Sequence, residues 1–201
     1  MPRPPGFTLV ELLAVIGIVG ILAALVMMSV GNARRSARTL KCGGNLRQIA
    51  QITLLYTSEH RNTLPRLYAA NWVADLWPYI DNRTYVPFYT NDLPAILAGT
   101  IFECPDADLD TTSVKRSYGA NLQIAANGGS TALPLSTVSS PAATVMFTDS
   151  LATSSLSVTA LNPRHNQKFN AVFFDGHVKL LPKSGNDILD TSYRSAFWRS
   201  Q

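Results

Sequence analysis

Charged residues are scarce in this chain. Of its 201 residues only 15% are Asp, Glu, Lys or Arg, and the formal net charge is +4. The positive charges do not form a stripe interleaved with aromatic side chains, which is the pattern that nucleic-acid-binding surfaces present. The chain outside its apolar run is instead rich in uncharged polar residues, as secreted and surface domains are. We therefore do not expect nucleic acid as a primary partner.

Recognisable catalytic motifs are also lacking. The sequence has no Gly-x-Ser-x-Gly elbow, no pair of carboxylates at an acid–base spacing and no zinc-ligand spacing. We therefore expect a protein that is not an enzyme and that needs no cofactor or metal. Asp106, Asp108 and Asp110 alternate as in an EF-hand loop, but Thr111 and Ser117 stand where that loop needs Gly and Glu. We interpret this segment as a solvated acidic loop, and a loose calcium site is the alternative.

Proline is absent between Phe7 and Pro65, so nothing in this stretch forces a helix to break. The stretch begins with a predominantly apolar run over residues 7–30 that contains one charge, Glu11. About 20 apolar residues suffice for a helix to cross a bilayer. The pattern predicts a transmembrane helix over residues 7–30 and an amphipathic extension of the same helix over residues 31–60.

The residues around the start of the apolar run do not fit a secretory signal peptide. Such a signal has its small-residue cleavage site after the apolar core, whereas Gly6 precedes the run. The segment Gly6-Phe7-Thr8-Leu9-Val10-Glu11 resembles the processing site of type IV prepilins and type II secretion pseudopilins. The resemblance implies that residues 1–6 are a cytoplasmic leader. A prepilin peptidase would remove it by cutting between Gly6 and Phe7, and Phe7 would then be N-methylated. An uncleaved signal anchor is the alternative.

Glu11 is costly in a membrane and therefore suggests a function with a partner. Cleavage would leave a positive amine on Phe7, about one helical turn from Glu11, and pairing the two charges would offset much of the cost of burying them. In the family this pairing is thought to guide a subunit into the growing filament. The resemblance thus implies other pilin or pseudopilin subunits, membrane lipid, and an inner-membrane assembly platform with its ATPase as partners.

The function predicted from this resemblance is that of a structural subunit of a type IV pilus or of a pseudopilus-like filament of type II secretion. A membrane-anchored binding module for a glycan or secreted substrate is the second interpretation, and an anchored enzyme is the third. The predicted location is the inner membrane, crossed once, with the globular domain in the periplasm or outside the cell. Arg34, Arg35, Arg38 and Lys41 argue for the opposite orientation by the positive-inside tendency, and we give the processing motif more weight.

The remainder of the chain, residues 61–201, predicts a globular domain. We expect an α+β, pilin-like fold in which the long N-terminal helix packs on a small antiparallel sheet. A short helix is predicted near residues 71–80, and aromatic residues from Trp72 onward are expected to be core rather than a carbohydrate platform. The strand candidates are residues 117–121, 143–149, 169–174 and 177–181. Asp175-Gly176 separates the last two and predicts a hairpin whose turn has positive φ at both positions.

Cys42 and Cys104 both follow the membrane segment. In an oxidising compartment they are candidates for one disulfide, and two buried thiols are the alternative.

A second resemblance lies near the C-terminus. His165 is followed by nine residues and then by Asp175-Gly176. This spacing is similar to the H-X9-DG motif of a bacterial group of prepilin-type proteins, sometimes grouped with the DUF1559 family. We predict that His165 is a structural tie to Asp175 or to a backbone group. A metal site formed with Asp175, Asp149 or His177 is the alternative.

Overall fold

A computed structural model describes residues 6, 8–67, 71–81, 97, 99–107, 117–122, 124, 131–151, 161–184 and 197–198, and only the backbone of Met28. The chain divides into two compact units, Met1–Ala37 and Arg38–Gln201. One helix, α1 (Leu9–Glu59), contributes residues to both units. The predicted long N-terminal helix is therefore confirmed.

In the first unit the described side chains of α1 from Leu9 to Ala37 are all exposed. Apolar residues on every side of the helix are among them, for example Ile16 and Ile18. A helix that is apolar all round is normally buried in a protein or in lipid. This stretch is long and apolar enough to cross a membrane.

In the second unit α1 becomes amphipathic. Residues at helical spacing are buried, and they are Cys42, Asn45, Leu46, Ile49, Ala50, Thr53 and Thr57. The helix stops after Glu59 because Arg61 and Asn62 adopt left-handed backbone angles, with φ of 55° and 58°. The Asn62 amide then donates to the Thr57 carbonyl at 2.9 Å, which satisfies one of the free carbonyls at the helix end.

The second unit also holds a four-stranded antiparallel sheet in the order β1-β2-β3-β4. Its strands are β1 (Tyr118–Ala120), β2 (Val145–Asp149), β3 (Lys168–Phe173) and β4 (Val178–Pro182). A short helix, α2 (Asn71–Leu76), leads into a 3-10 turn, Trp77–Tyr79. The α+β, pilin-like fold class predicted from the sequence is confirmed.

The residues of β3 and their neighbours divide between two apolar clusters. Val172 and Phe174 pack in one with Leu46 and Ile49 of α1. The alternating residues Phe169, Ala171 and Phe173 pack in the other cluster, with Phe197 and Trp198 of the C-terminal segment. The sheet is therefore buried on both faces at its centre.

The large aromatic residues of the α2 region belong to the core. Trp72 and Trp77 are 1% and 2% exposed, and both rings pack against Phe102. The prediction of core is confirmed for these two tryptophans, and neither is available to a carbohydrate. Tyr85, Phe88 and Tyr89 lie outside the described residues.

The turn of the predicted hairpin at Asp175-Gly176 differs in type from the prediction. At Asp175-Gly176 only Gly176 has positive φ, 87°, and its amide donates to the Phe173 carbonyl at 2.9 Å. This is a type I turn closed by a glycine in the left-handed region, so the predicted positive φ at Asp175 is wrong. The two-residue turn with positive φ at both positions is instead Asn166-Gln167, with φ of 53° and 62°.

Candidate functional site

The described residues nearest the predicted cleavage bond form a closed cap at the start of α1. Gly6 is exposed, and Phe7, the predicted methylation site, lies outside the described residues. The Thr8 amide and Thr8 Oγ1 both donate to Glu11 Oε2, at 2.9 and 2.8 Å. The Glu11 amide donates back to Thr8 Oγ1 at 3.3 Å.

This reciprocal arrangement is a capping box, in which a Thr at the N-cap and a Glu three residues later satisfy each other's free amides. The carboxylate also lies at the helix N-terminus, where the helix dipole favours negative charge. Glu11 thus has a local partner in the full chain. The Thr8-x-x-Glu11 spacing ahead of an apolar run is a known sequence signal for this cap, and our reading of the sequence missed it.

The second candidate site is buried in the second unit, where Cys42 of α1 and Cys104 meet. The structure joins them by a disulfide across 62 residues, with the Cα atoms 5.0 Å apart. Both cysteines are fully buried. The buried Cys104 amide is hydrogen-bonded as well, because it donates to Ser117 Oγ at 2.9 Å.

His165 lies beside this disulfide. Its backbone N–H and C=O both bond to Lys168, across the Asn166-Gln167 turn, and this turn fixes the imidazole at the entry to β3. The side chain is fully buried between two carboxylates. His165 Nδ1 is 2.9 Å from Asp106 Oδ2, and Nε2 is 3.2 Å from Asp149 Oδ2. Since an ionised carboxylate accepts hydrogen bonds, each ring nitrogen of His165 faces an acceptor.

The two carboxylates are held by other residues. Asp149 Oδ2 accepts the Asn170 amide at 2.6 Å and Asn170 Nδ2 at 3.0 Å. Asp106 Oδ1 is 3.6 Å from an Arg38 guanidinium nitrogen. Among the described residues, no donor reaches the buried Oδ1 of Asp149. This oxygen therefore carries acceptor capacity that the described part of the chain leaves unused.

The geometry corrects two predictions for these residues. Asp175 does not bond to His165, because its carboxylate bonds to the amide and ring of His177 two residues away. Asp106 is buried at 6% exposure and ion-paired, so it does not belong to a solvated loop. Asp108 and Asp110 lie outside the described residues. The Gly176 amide closes the turn between β3 and β4. His165 pairs with Asp106 and Asp149 instead of Asp175.

The pKa values of Tyr118 and of Asp175, the latter in the turn that follows β3, are shifted from their ordinary values. Burial, with the nearby Asp149 carboxylate, raises the pKa of Tyr118 well above its usual 10.0. Partial desolvation works to raise the pKa of Asp175, but hydrogen bonds from His177 outweigh it and lower that pKa. Tyr118 therefore stays a neutral donor, and its hydroxyl bonds to the Cys42 carbonyl at 3.3 Å.

Comparison with known proteins bears on the first of these two sites. A family model described as the prokaryotic N-terminal methylation motif matches residues 1–27. No curated protein and no solved structure matches the chain. The match supports a type IV pilin-like precursor whose N-terminus carries a prepilin methylation motif, and such a motif implies processing by a peptidase and assembly with other pilin subunits. The resemblance to H-X9-DG proteins stays a prediction.

Proposed function

We propose that this chain is a structural subunit of a type IV pilus or of a type II secretion pseudopilus-like filament. In this proposal the leader is removed after Gly6, the new Phe7 terminus is methylated, and the mature chain polymerises through α1. The observation that carries the proposal is the match to the methylation motif over residues 1–27, on a chain whose exposed apolar helix begins at Leu9.

The exposure of α1 supports assembly. Between Leu9 and Ala37 the described apolar side chains have no protein neighbours to cover them, and burying them is favourable by about 25 cal/mol per Å². Lipid provides that burial before assembly, and neighbouring helices provide it in a filament. Gly17 and Gly20 have open space around them, so close helix approach there is sterically free.

Glu11 has a role that changes on processing. In the full chain its carboxylate caps α1 through Thr8. Removal of the leader would create a Phe7 ammonium that competes for this carboxylate, within the chain or from a neighbouring subunit. A charge pair between subunits offsets the cost of burying both the Phe7 ammonium and the Glu11 carboxylate. Glu11 therefore favours ordered addition of subunits.

A structural role also fits the buried cluster. The His165 imidazole is enclosed by Asp106, Asp149 and the disulfide, and its side chain has no exposed surface for a substrate. We propose that the protein is not an enzyme. Prepilin peptidase, an assembly platform and its ATPase would be its partners, in the inner membrane, with residues 61–201 in the periplasm or outside the cell.

The test is intact-mass and N-terminal peptide analysis of the chain extracted from its native membrane. We expect a chain that starts at Phe7 and carries one added methyl group. A chain that still starts at Met1 would overturn the proposal and leave a simple signal anchor.

Two variants separate processing from assembly. Gly6→Val places a branched side chain at the cleavage site and is expected to leave the leader attached. Glu11→Gln keeps the size and capping geometry of the side chain but removes its charge. We expect Glu11→Gln to be processed normally and to form few crosslinks between subunits in the membrane. Normal crosslinking in Glu11→Gln would contradict the assembly role of Glu11.

A further inference from the structure

We propose that the reduced form of this protein binds one Zn²⁺ ion through Cys42, Cys104, His165 and Asp149. The ligand atoms of both cysteines and of His165 lie within 4.8 Å of one another. Two sulfurs, one imidazole nitrogen and one carboxylate oxygen are a donor set that zinc accepts in tetrahedral sites. The proposal is independent of filament assembly, because all four residues belong to the second unit.

The distances in the disulfide form already approach those of such a site. Tetrahedral bonds of about 2.3 Å to sulfur and 2.0–2.1 Å to nitrogen put these two ligands about 3.6 Å apart. Cys104 Sγ and His165 Nε2 are 3.6 Å apart. The same geometry puts a nitrogen and an oxygen ligand about 3.4 Å apart. His165 Nε2 and Asp149 Oδ2 are 3.2 Å apart. Reduction frees the two sulfurs to separate, and Asp149, which lies outside the 4.8 Å group of the other three ligands, must move closer to them.

The groups behind the ligands also have the positions that metal sites require. A metal-bound imidazole usually donates its other N–H to a carboxylate, which fixes the tautomer and the ring orientation. Here Nδ1 of His165 is 2.9 Å from Asp106 Oδ2, so Nε2 is the nitrogen left for a metal. Asn170 holds the Asp149 carboxylate in the same way, through its amide and its side chain. Asp106 and Asn170 are therefore positioning residues.

The unused acceptor on Asp149 is a separate observation that points to a cation. Asp149 is fully buried, and no donor among the described residues reaches its Oδ1. A buried carboxylate whose hydrogen bonding is incomplete is costly, and a cation bound at the neighbouring Oδ2 would offset part of that cost.

The disulfide and the Zn²⁺ ion would compete for the same two cysteines, Cys42 and Cys104. A dithiol reductant would convert the Cys42–Cys104 disulfide to two thiols and would itself become a cyclic disulfide. Zn²⁺ would then bind the two thiolates and the neutral imidazole, and the two thiol protons and any proton on Nε2 would leave to solvent. The metal would join α1, the Cys104 turn, β2 and the entry to β3 before oxidation closes the disulfide.

The experiment uses the full-length protein in detergent, reduced with a phosphine under anaerobic conditions and titrated with Co²⁺ as a spectroscopic substitute for zinc. We expect one Co²⁺ per chain, with thiolate-to-cobalt charge transfer and the intense visible bands of a tetrahedral ion. Zn²⁺ should remove these bands. The oxidised protein should show none, because it has no thiolates.

The variants identify the ligands. His165→Gln and Asp149→Asn should each weaken Co²⁺ binding by at least tenfold, and Asp106→Asn should weaken it by about 10–100-fold through the ring it orients. His177→Gln is the matched control and should bind like the wild type. Each variant is first oxidised, and formation of the disulfide shows that it folds. Where His165→Gln does not form the disulfide, Asp106→Asn decides.

Two results would overturn the proposal. One is a reduced wild-type protein without the tetrahedral thiolate spectrum. The other is binding that survives unchanged in His165→Gln, Asp149→Asn and Asp106→Asn, which would mean an adventitious ion on two thiols only. Alkylation gives a second readout, because the chain has only two cysteines and Zn²⁺ should protect both in the wild type.

Discussion

Helix α1 runs through two different environments. Up to Ala37 its described side chains are exposed, and Gly20 has no atom within 4 Å of where a Cβ would lie. Beyond Arg38 one stripe of the helix is buried, and a Cβ on Gly43 would lie 3.2 Å from Asn170 Oδ1. The two regions of this one helix therefore differ in where their apolar side chains lie. The first region leaves them exposed, whereas the second buries them against other parts of the chain.

The contrast extends to the charged groups. In the first region the Glu11 carboxylate bonds to Thr8, the residue that caps the start of the helix. In the second region Asp106, Asp149 and His165 come together from distant parts of the chain and are buried. A local, exposed contact is easily exchanged for another partner, whereas a buried network resists exchange because each member left alone would be costly.

The largest effect is expected when the buried network is broken. His165→Ala leaves Asp106 and Asp149 buried without the group between them, so we expect the oxidised protein to lose about 3 kcal/mol of unfolding free energy. Denaturant unfolding followed by tryptophan fluorescence measures it. All three tryptophans, Trp72, Trp77 and Trp198, lie in the second unit and are buried there.

His177→Ala is the matched control for this change. The His177 side chain is 31% exposed and pairs with Asp175, which is 37% exposed. Pairs of this kind contribute less than about 1 kcal/mol. Equal losses for the two histidine variants would contradict the view that the buried network, rather than histidine pairing in general, stabilises the second region.

The division between local and distant contacts also explains what the sequence could predict. The long helix, β2 and the last hairpin follow from features within a few residues: missing proline, a short apolar run and Asp175-Gly176. The pairing of His165 with Asp106 joins residues 59 apart in sequence. No spacing or composition encodes that contact, because the folding of the sheet onto α1 brings the residues together. The H-X9-DG spacing directed attention to His165 but suggested the wrong partner.

At the turns the sequence predicts the position of the hairpin correctly but its turn type wrongly. Asp-Gly is a strong hairpin signal, and the hairpin formed, but its loop holds one residue more than the predicted type. The two-residue turn formed at Asn166-Gln167, where Gln is an unusual residue for positive φ. Paired hydrogen bonds between His165 and Lys168 hold it there, at 3.0 and 3.1 Å. The long-range contacts of the His165 side chain with Asp106 and Asp149 supply the tertiary context in which this turn forms.

A smaller change in unfolding free energy is expected at two adjacent glycines of α1, Gly43 and Gly44. Ala is favoured over Gly in a helix by about 1 kcal/mol, and Gly44→Ala should gain it because open space surrounds that position. Gly43→Ala should instead lose about 1 kcal/mol, because its Cβ would press on Asn170 Oδ1, and Asn170 is fixed by Asp149. The same fluorescence measurement compares these adjacent residues. Changes of the same sign would show that the contact between Gly43 and Asn170 relaxes freely.

The smallest effect should be confined to the first region. Thr8→Ala removes the hydroxyl that caps the Glu11 amide, which costs about 1 kcal/mol in the first turn of a helix. We expect amide exchange over residues 9–12 to rise about fivefold, measured by mass spectrometry of the protein in detergent. Thr8→Ser keeps the hydroxyl and should exchange like the wild type. The fluorescence midpoint should not move, because the hydrogen bonds of the cap join residues of the first unit. A shift of that midpoint in Thr8→Ala would mean that the cap stabilises both regions together, and the independence of the two environments of α1 would then be wrong.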